Sequence, residues 1–414
     1  MRRSTVVLEG TVRRSLAALP AVVCLGLLLT SCTSFPGGPY EGAEAGSTSS
    51  GASATATPEP TPAQTAPSVD ELTAQYVSVR LDAMTLEQKV ASMFIVRAPG
   101  VDGAAWQSTV SSRGLGGLIL MGDNVPATAE ELASLTAGVS SGGAGLAPLI
   151  AIDEEGGDVT RLPYDGFAGA DTLSAEPESA TQDAFTGRSE LLAASGVSVN
   201  FGIVADVTAD PSSFMFSRVL GGDPSTSAPR VAAAVTGENG RVFSTLKHFP
   251  GHGETTGDSH SSVPQSDVDL GGWLARDAPS FQAGIDAGAE LVMFGHLAYT
   301  PVDAQPASLS PTWHSVLRDE LGFAGVTVTD DMGMLEASGV AEYANPDENA
   351  IRAVAAGNDL LLYVTPGDVD AMIRAVVGAV ESGRIDPAVI DDAVTRDLEL
   401  RRELWLRQHP QLAF

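Results

Sequence analysis

The sequence predicts an α/β protein built as a single (β/α)8 barrel of the TIM type, and three observations lead there. Eight short runs rich in Val, Ile and Leu recur after Ser68, stretches of helical periodicity lie between them, and chemically capable side chains stand directly after four of the runs.

The runs are MFIV (Met93 to Val96), GLIL (Gly117 to Leu120), LIAI (Leu149 to Ile152), SVNF (Ser198 to Phe201), VFSTL (Val242 to Leu246), LVMF (Leu291 to Phe294), VTVT (Val326 to Thr329) and LLLY (Leu360 to Tyr363). Runs this continuously apolar read as strands buried on both faces, as in a parallel sheet. Helix candidates fill the gaps: AEELASLTAGV after Thr128, RVAAAVTGENG from Arg230, LARDAPSFQAGIDAG from Leu274 and WHSVLRDELG from Trp313. Several stop at Gly, and one starts at a Ser-Pro pair, both ordinary helix boundaries. Eight strands with intervening helices over about 340 residues fit one barrel better than two domains, with a doubly wound open sheet as the alternative. The last stretch, AVIDDAVTRDLELRREL, reads as a terminal helix outside the barrel.

The barrel domain is expected over 69–414. Before it, Arg2, Arg3, Arg13 and Arg14 precede an apolar run from Leu16 to Leu29, followed by Leu29-Thr30-Ser31-Cys32. This pattern is that of an export signal over 1–31. Its small residues before Cys32 resemble a bacterial lipobox, in which the cysteine is acylated and becomes the mature N-terminus. Cys24 would leave with the signal, so the mature chain keeps Cys32 alone and forms no internal disulfide. Residues 32–68, mostly Gly, Ser, Thr, Ala and Pro, bury too little apolar surface to offset their ordering entropy and read as a tether. The expected location is therefore outside the cytoplasm, at the cell membrane, through the lipid anchor only.

A formal charge of −29 repels phosphate backbones, which argues against a nucleic-acid partner. A monomer is expected.

KHFPGHGETTGDSH (Lys247 to His260) gathers three of the six histidines. His248 and His252 have a spacing that suits zinc on a helix, but Pro250, Gly251 and Gly253 break the helix that would aim them together. No metal or organic cofactor is expected. In Asp258-Ser259-His260, a carboxylate two residues from an imidazole can accept its ring proton and make His260 a general acid/base; the alternative is a turn with a surface histidine. Asp330 and Asp331 follow VTVT, where a carboxylate serves as nucleophile, metal ligand or helix cap. Asp330, directly at the strand end, takes the chemistry and Asp331 the support. Asp153 follows LIAI, Lys247 and His248 follow VFSTL, and His296 follows LVMF. Together with Arg161 and Arg218 these supply the acceptors and forked donors that a sugar's hydroxyls require, although either arginine could instead serve a structural ion pair.

The segments together resemble family 3 glycoside hydrolases, in particular their single-domain β-N-acetylglucosaminidase branch. The likeness runs from about Asp70 to Leu400 and includes KHFPGHG with DSH, ASLSPTWHSVLRDELGFAGVTVTDD and AVAAGNDLLL. It implies a barrel fold, Asp330 as the nucleophile of a retaining mechanism, and His260 as acid/base oriented by Asp258. It also implies that Asp153, Arg161, Arg218, Lys247 and His248 bind the terminal sugar, with Arg218 near the N-acetyl group and His296 in the pocket. The implied substrate is a carbohydrate: N-acetylglucosamine at the end of cell-wall fragments. One departure stands at Asp158, where the family usually has Arg after the double glycine. A phosphorolytic enzyme of the same fold and a non-catalytic glycan-binding lipoprotein are the competing readings.

Overall fold

The computed structural model describes residues 67–141, 145–255 and 257–412. The signal over 1–31, Cys32 and the tether up to residue 66 lie outside the described residues. The first helix, Val69–Ala83, opens with Ser68 and Glu71 bonded reciprocally to each other's backbone N–H groups, a capping box.

Eight parallel strands form the wall. They are β1 (Phe94–Val96), β2 (Gly117–Leu120), β3 (Leu149–Ile152), β4 (Val199–Val204), β5 (Phe243–Phe249), β6 (Leu291–Phe294), β7 (Val326–Thr329) and β8 (Leu361–Tyr363). Each pairs with the next in chain order from β1 to β7, and β8 pairs with β1. A parallel bridge from Val328 to Leu360 closes the ring between β7 and β8. The eight apolar runs of the sequence are therefore the eight staves of a (β/α)8 barrel.

Strand alternation sorts the core. Ile95, Ile119, Leu149, Ala151, Val199, Phe201, Phe243 and Met293 pack together inside the ring. Their neighbours Phe94, Val96, Leu118, Leu120, Ile150 and Ile152 instead face the helix layer. Burying each large side chain contributes roughly 1.5–3 kcal/mol, and both sides of the wall gain it, which is why most of the runs are apolar on both faces.

Several boundaries differ from the sequence reading. β4 runs on to Val204 and β5 to Phe249, so Lys247 and His248 lie within a strand rather than after it. The helix expected from Arg230 begins at Pro224, because Asp223 accepts from Ser225 N and Thr226 N and Pro224 occupies the first turn. The helix expected from Leu274 is two, Leu270–Arg276 and Ala278–Asp286, divided at Asp277 just before Pro279. The stretch from Trp313 holds a short α-helix, Pro311–Ser315, followed by a π-turn segment, Val316–Glu320.

The terminal helix Pro387–Gln408 lies across the N-terminal mouth of the barrel. Its Leu400 and Leu404 join the inner core cluster, and the Arg407 guanidinium sits 4.3 Å over the ring of Phe243 at the start of β5. That plug leaves the C-terminal strand ends to build the site.

Candidate active site

At the C-terminal ends of the strands a cavity of about 280 Å3 opens, lined by Asp153, Glu155, Arg161, Arg218, Lys247, His248, His260 and Asp330, with Met121, Phe214 and Met334 among its apolar walls. A larger cleft at the opposite end, lined by Asp70, Glu290, Arg396 and Glu403, is wide open and has no comparable convergence.

The floor is a closed charge network. Lys247, 2% exposed, reaches Asp153 at 2.8 Å and Glu155 at 2.7 Å. Arg218 grips Glu155 with two bonds, Nε to Oε2 at 2.9 Å and Nη2 to Oε1 at 2.7 Å. Burial pushes the Glu155 carboxyl up, but the two cations outweigh it and hold the group down at about 2. Two anions and two cations thus lie together with their long side chains locked, and a sugar entering meets prepositioned donors and acceptors. Lys247 and His248 are consecutive, and neighbours in a regular strand point to opposite faces. Against β6 the register of β5 shifts between Leu246 and Phe249, a bulge-like irregularity that lets both side chains line the cavity.

His248 is oriented from behind. Its Nδ1 lies 2.7 Å from Asp206 Oδ2, and its backbone N–H also donates to that carboxylate. Burial raises the Asp206 carboxyl, yet the adjacent His248 draws it below its ordinary value. Asp206 also accepts from the backbone N–H of His252 at 2.5 Å, so one carboxylate fixes both histidines of KHFPGHG.

Asp330 follows β7 and is half-buried in the cavity wall. Burial opposes its ionisation, but His248, His296, the Asp331 N–H at 2.8 Å and Lys247 hold its carboxyl at about 2, so it is an anion at neutral pH. Asp331 turns away. Its Oδ1 accepts from Gly333 N and Val364 N, which ties the loop after β7 to the chain after β8.

Facing them is an arm that begins after β5. Asp258 Oδ1 accepts from the His260 backbone N–H at 2.9 Å and lies 2.7 Å from His260 Nδ1. This bond places the Nδ1 proton toward Asp258 and leaves Nε2 as the reactive nitrogen. The His260 side chain is 64% exposed, whereas Asp330 is half-buried.

His296 is not placed where the sequence reading put it. Its Nε2 lies 2.9 Å from the Asp331 carbonyl and its Nδ1 2.7 Å from Ser308 Oγ, and it lies outside the cavity lining. Both ring nitrogens are used inside the protein, so it supports the β7 loop. Arg161 lines the cavity, its backbone N–H held by Glu154 Oε2 at 2.8 Å. Asp158 accepts from Ser217 Oγ at 2.5 Å, a contact that joins the loops after β3 and β4 beside the cavity. His252 is buried, bonded through Nδ1 to Thr255 Oγ1, and burial draws its pKa down to about 4.

Sequence reasoning missed Glu155 and Asp206. Glu155 stood two places beyond Asp153 in DEEGG and was overshadowed by the acid at the strand end. Asp206 follows β4 by two residues, but the run SVNF put that strand end at Phe201. The strand-mouth rule itself would have found it with the longer strand.

Among the described residues no cluster of His, Cys, Asp and Glu could hold a metal ion, and no helix is long and apolar enough to cross a membrane.

Comparison with known proteins agrees with this geometry. A "Beta-hexosaminidase" of Methylococcus capsulatus is 33% identical over 269 residues, 62% of this chain and 78% of that protein. One of Xanthomonas campestris pv. campestris is 34% identical over 282 residues, 63% of this chain and 81% of its own. The solved glycoside hydrolase family 3 β-N-acetylglucosaminidase of Paenibacillus sp. superposes with a TM-score of 0.73 at 32% identity, over 78% of this chain and 63% of that one. The β-N-acetylhexosaminidase of Beutenbergia cavernae gives a TM-score of 0.66 at 31% identity, over 77% of this chain and 99% of its own. The family described as the glycosyl hydrolase family 3 N terminal domain matches residues 85–400, well over half the chain. With a closed parallel barrel and a carboxylate-rich cavity at its strand ends, the chain belongs to glycosyl hydrolase family 3.

Proposed function

We propose that this family 3 glycoside hydrolase is an exo-acting, retaining β-N-acetylglucosaminidase that removes terminal N-acetylglucosamine from peptidoglycan fragments. The observation that carries the reading is an ionised, half-buried Asp330 sharing one small cavity with an exposed His260 whose Nδ1 is held by Asp258. The relatives' names supply the sugar. A cavity of about 280 Å3 suits one ring rather than a run of them, which favours a terminal residue.

The reaction proceeds as a double displacement. Asp330 Oδ attacks the anomeric carbon as the bond to the leaving oxygen breaks, and protonated His260 Nε2 gives its proton to that oxygen. Neutral His260 then takes a proton from water. The resulting hydroxide oxygen bonds to the anomeric carbon, and Asp330 leaves as carboxylate. Asp258 accepts at His260 Nδ1 throughout, so that the moving proton is carried on Nε2. Asp153, Lys247, His248 and Arg161 hold the sugar hydroxyls, and Arg218, fixed by Glu155, lies on the side of the acetamido group.

The reading includes export and anchoring through an acylated Cys32, supported by the basic start, apolar run and LTSC of the sequence. It also includes action as a monomer.

A fluorinated N-acetylglucosaminide carrying an activated leaving group tests the chemistry. The expected adduct sits on the peptide bearing Asp330, and the released sugar keeps its anomeric configuration. An inverted product, or a label on another carboxylate, would refute it. Mass analysis of the mature N-terminus tests the anchor, and an unmodified Cys32 would remove it.

A further inference from the structure

The His260 arm presents a mechanical problem. Among the described residues, the hydrogen bonds of Asp258, His260, Ser261 and Ser262 begin and end within the arm itself: Asp258 accepts from His260, and its carbonyl accepts from Ser261 N and from Ser262 Oγ. Such bonds set the shape of the arm without setting its place over Asp330.

One side chain from the body of the protein touches both its root and its tip. Phe214, on the loop after β4, packs edge-on against His252 at 4.8 Å between ring centroids and an interplanar angle of 88°. It also meets His260 edge-on at 6.4 Å and 81°. The ring is half-buried, lines the cavity, and rests on Val204, Met215 and Val219. Four residues later the same loop carries Arg218, whose Nη1 contacts Met215 Sδ and whose fork holds Glu155. The ring therefore connects the arm to the loop that carries Arg218, part of the charged floor. Edge-to-face aromatic pairs bias a two-state equilibrium by roughly two- to tenfold. The flanks of the arm are tied to the body, Pro250 by Trp273 Nε1, Gly251 by Tyr299 Oη and Pro264 by the Ala298 N–H, whereas among the described residues Asp258 and His260 between them carry no such bond, so a bias of this size moves the occupancy of the tip.

We infer that Phe214 is a positioning residue that holds the His260 arm over the cavity, so that proton transfer to the leaving group, rather than sugar binding, depends on its ring. The inference rests on the reading of His260 as acid/base. Phe214 itself takes no part in bond making; it acts through His260.

The test uses the full chain and aryl β-N-acetylglucosaminides of graded leaving-group basicity, comparing the wild type with Phe214→Leu, Phe214→Tyr and His260→Ala. General acid assistance is worth most for the most basic leaving groups. Phe214→Leu is expected to lose about tenfold in kcat/KM on the most basic aglycone, by the occupancy bias above, and almost nothing on the most acidic one. Phe214→Tyr, which keeps the ring, should track the wild type, and His260→Ala should show the same trend more steeply. An equal loss on every aglycone, a change confined to KM for a disaccharide, or a Tyr variant as impaired as Leu would each overturn the inference. A flat His260→Ala series would instead sink the acid/base reading on which it stands.

Discussion

Glu155→Gln is the most informative single change in this protein, because glutamine has the shape of the protonated acid and cannot ionise. The carboxylate is 5% exposed and sits 2.7 Å from both Lys247 Nζ and Arg218 Nη2. Its folded value of about 2 against an ordinary 4.5 means that the fold favours the anion over the neutral form by about 3 kcal/mol. An independent argument agrees: removing one partner of a buried ion pair costs about 3–5 kcal/mol, because the remaining charges stay out of water unpaired. Here Lys247 would keep only Asp153, and Arg218 would lose its bidentate acceptor.

The sign follows from linkage. A carboxyl with a depressed folded pKa contributes stability that is fully present above its unfolded value near 4.5 and is lost as pH falls through about 2. Urea unfolding of wild type and variant should therefore differ by about 3 kcal/mol at neutral pH, and the difference should shrink steadily below about pH 4.5. Asp330 also titrates low, but it is common to both proteins and cancels. A loss below about 1 kcal/mol, or one that does not change with pH, would refute the charge-network argument.

Other outcomes follow from the same structure. Asp330→Asn should reduce kcat/KM on a chromogenic N-acetylglucosaminide by about a thousandfold or more while circular dichroism stays unchanged, since the nucleophile is lost and the barrel wall is not. Trp313→Ala should destabilise by about 3–5 kcal/mol in calorimetry or denaturant, because this ring is buried against Phe249, Trp273 and Tyr299. Burial draws both His252 and His314 down to about 4, so NMR titration should find both neutral at about pH 5. Because the unfolded rings take up protons first, these two groups should erode stability as pH falls from about 6.5 towards about 4, and nothing should be lost above that window.

Much of the fold was legible in the chain. Eight runs rich in Val, Ile and Leu mark all eight staves, because a stave buried on both faces is mostly apolar on both, small polar groups such as Ser244 and Thr327 being the exceptions. The strand mouths were legible for the same reason: a charged residue directly after such a run has left the core and faces the site. Errors came at the edges. The strand over Val199–Val204 continues past a glycine, and the strand over Phe243–Phe249 ends in Lys247 and His248, whose polarity made the run seem to stop at Leu246. Those polar groups are tolerated inside a strand because Asp153 and Glu155 meet Lys247 and the buried Asp206 backs His248. No property of the segment by itself announces those partners.

The sequence alone determined the barrel, its strand positions and the local pair Asp258-Ser259-His260, whose bond spans two residues. Only the tertiary structure decided which charges neutralise one another. Glu155 joins Lys247 and Arg218 from three separate loops or strands, and Asp206 reaches forward to two histidines of KHFPGHG. His296 has both ring nitrogens taken up by Ser308 and the Asp331 carbonyl, beside Asp330. The physical reason is range: backbone periodicity and turn chemistry act over a few residues, whereas the pairing of buried charges depends on distances that exist only once the ring has closed.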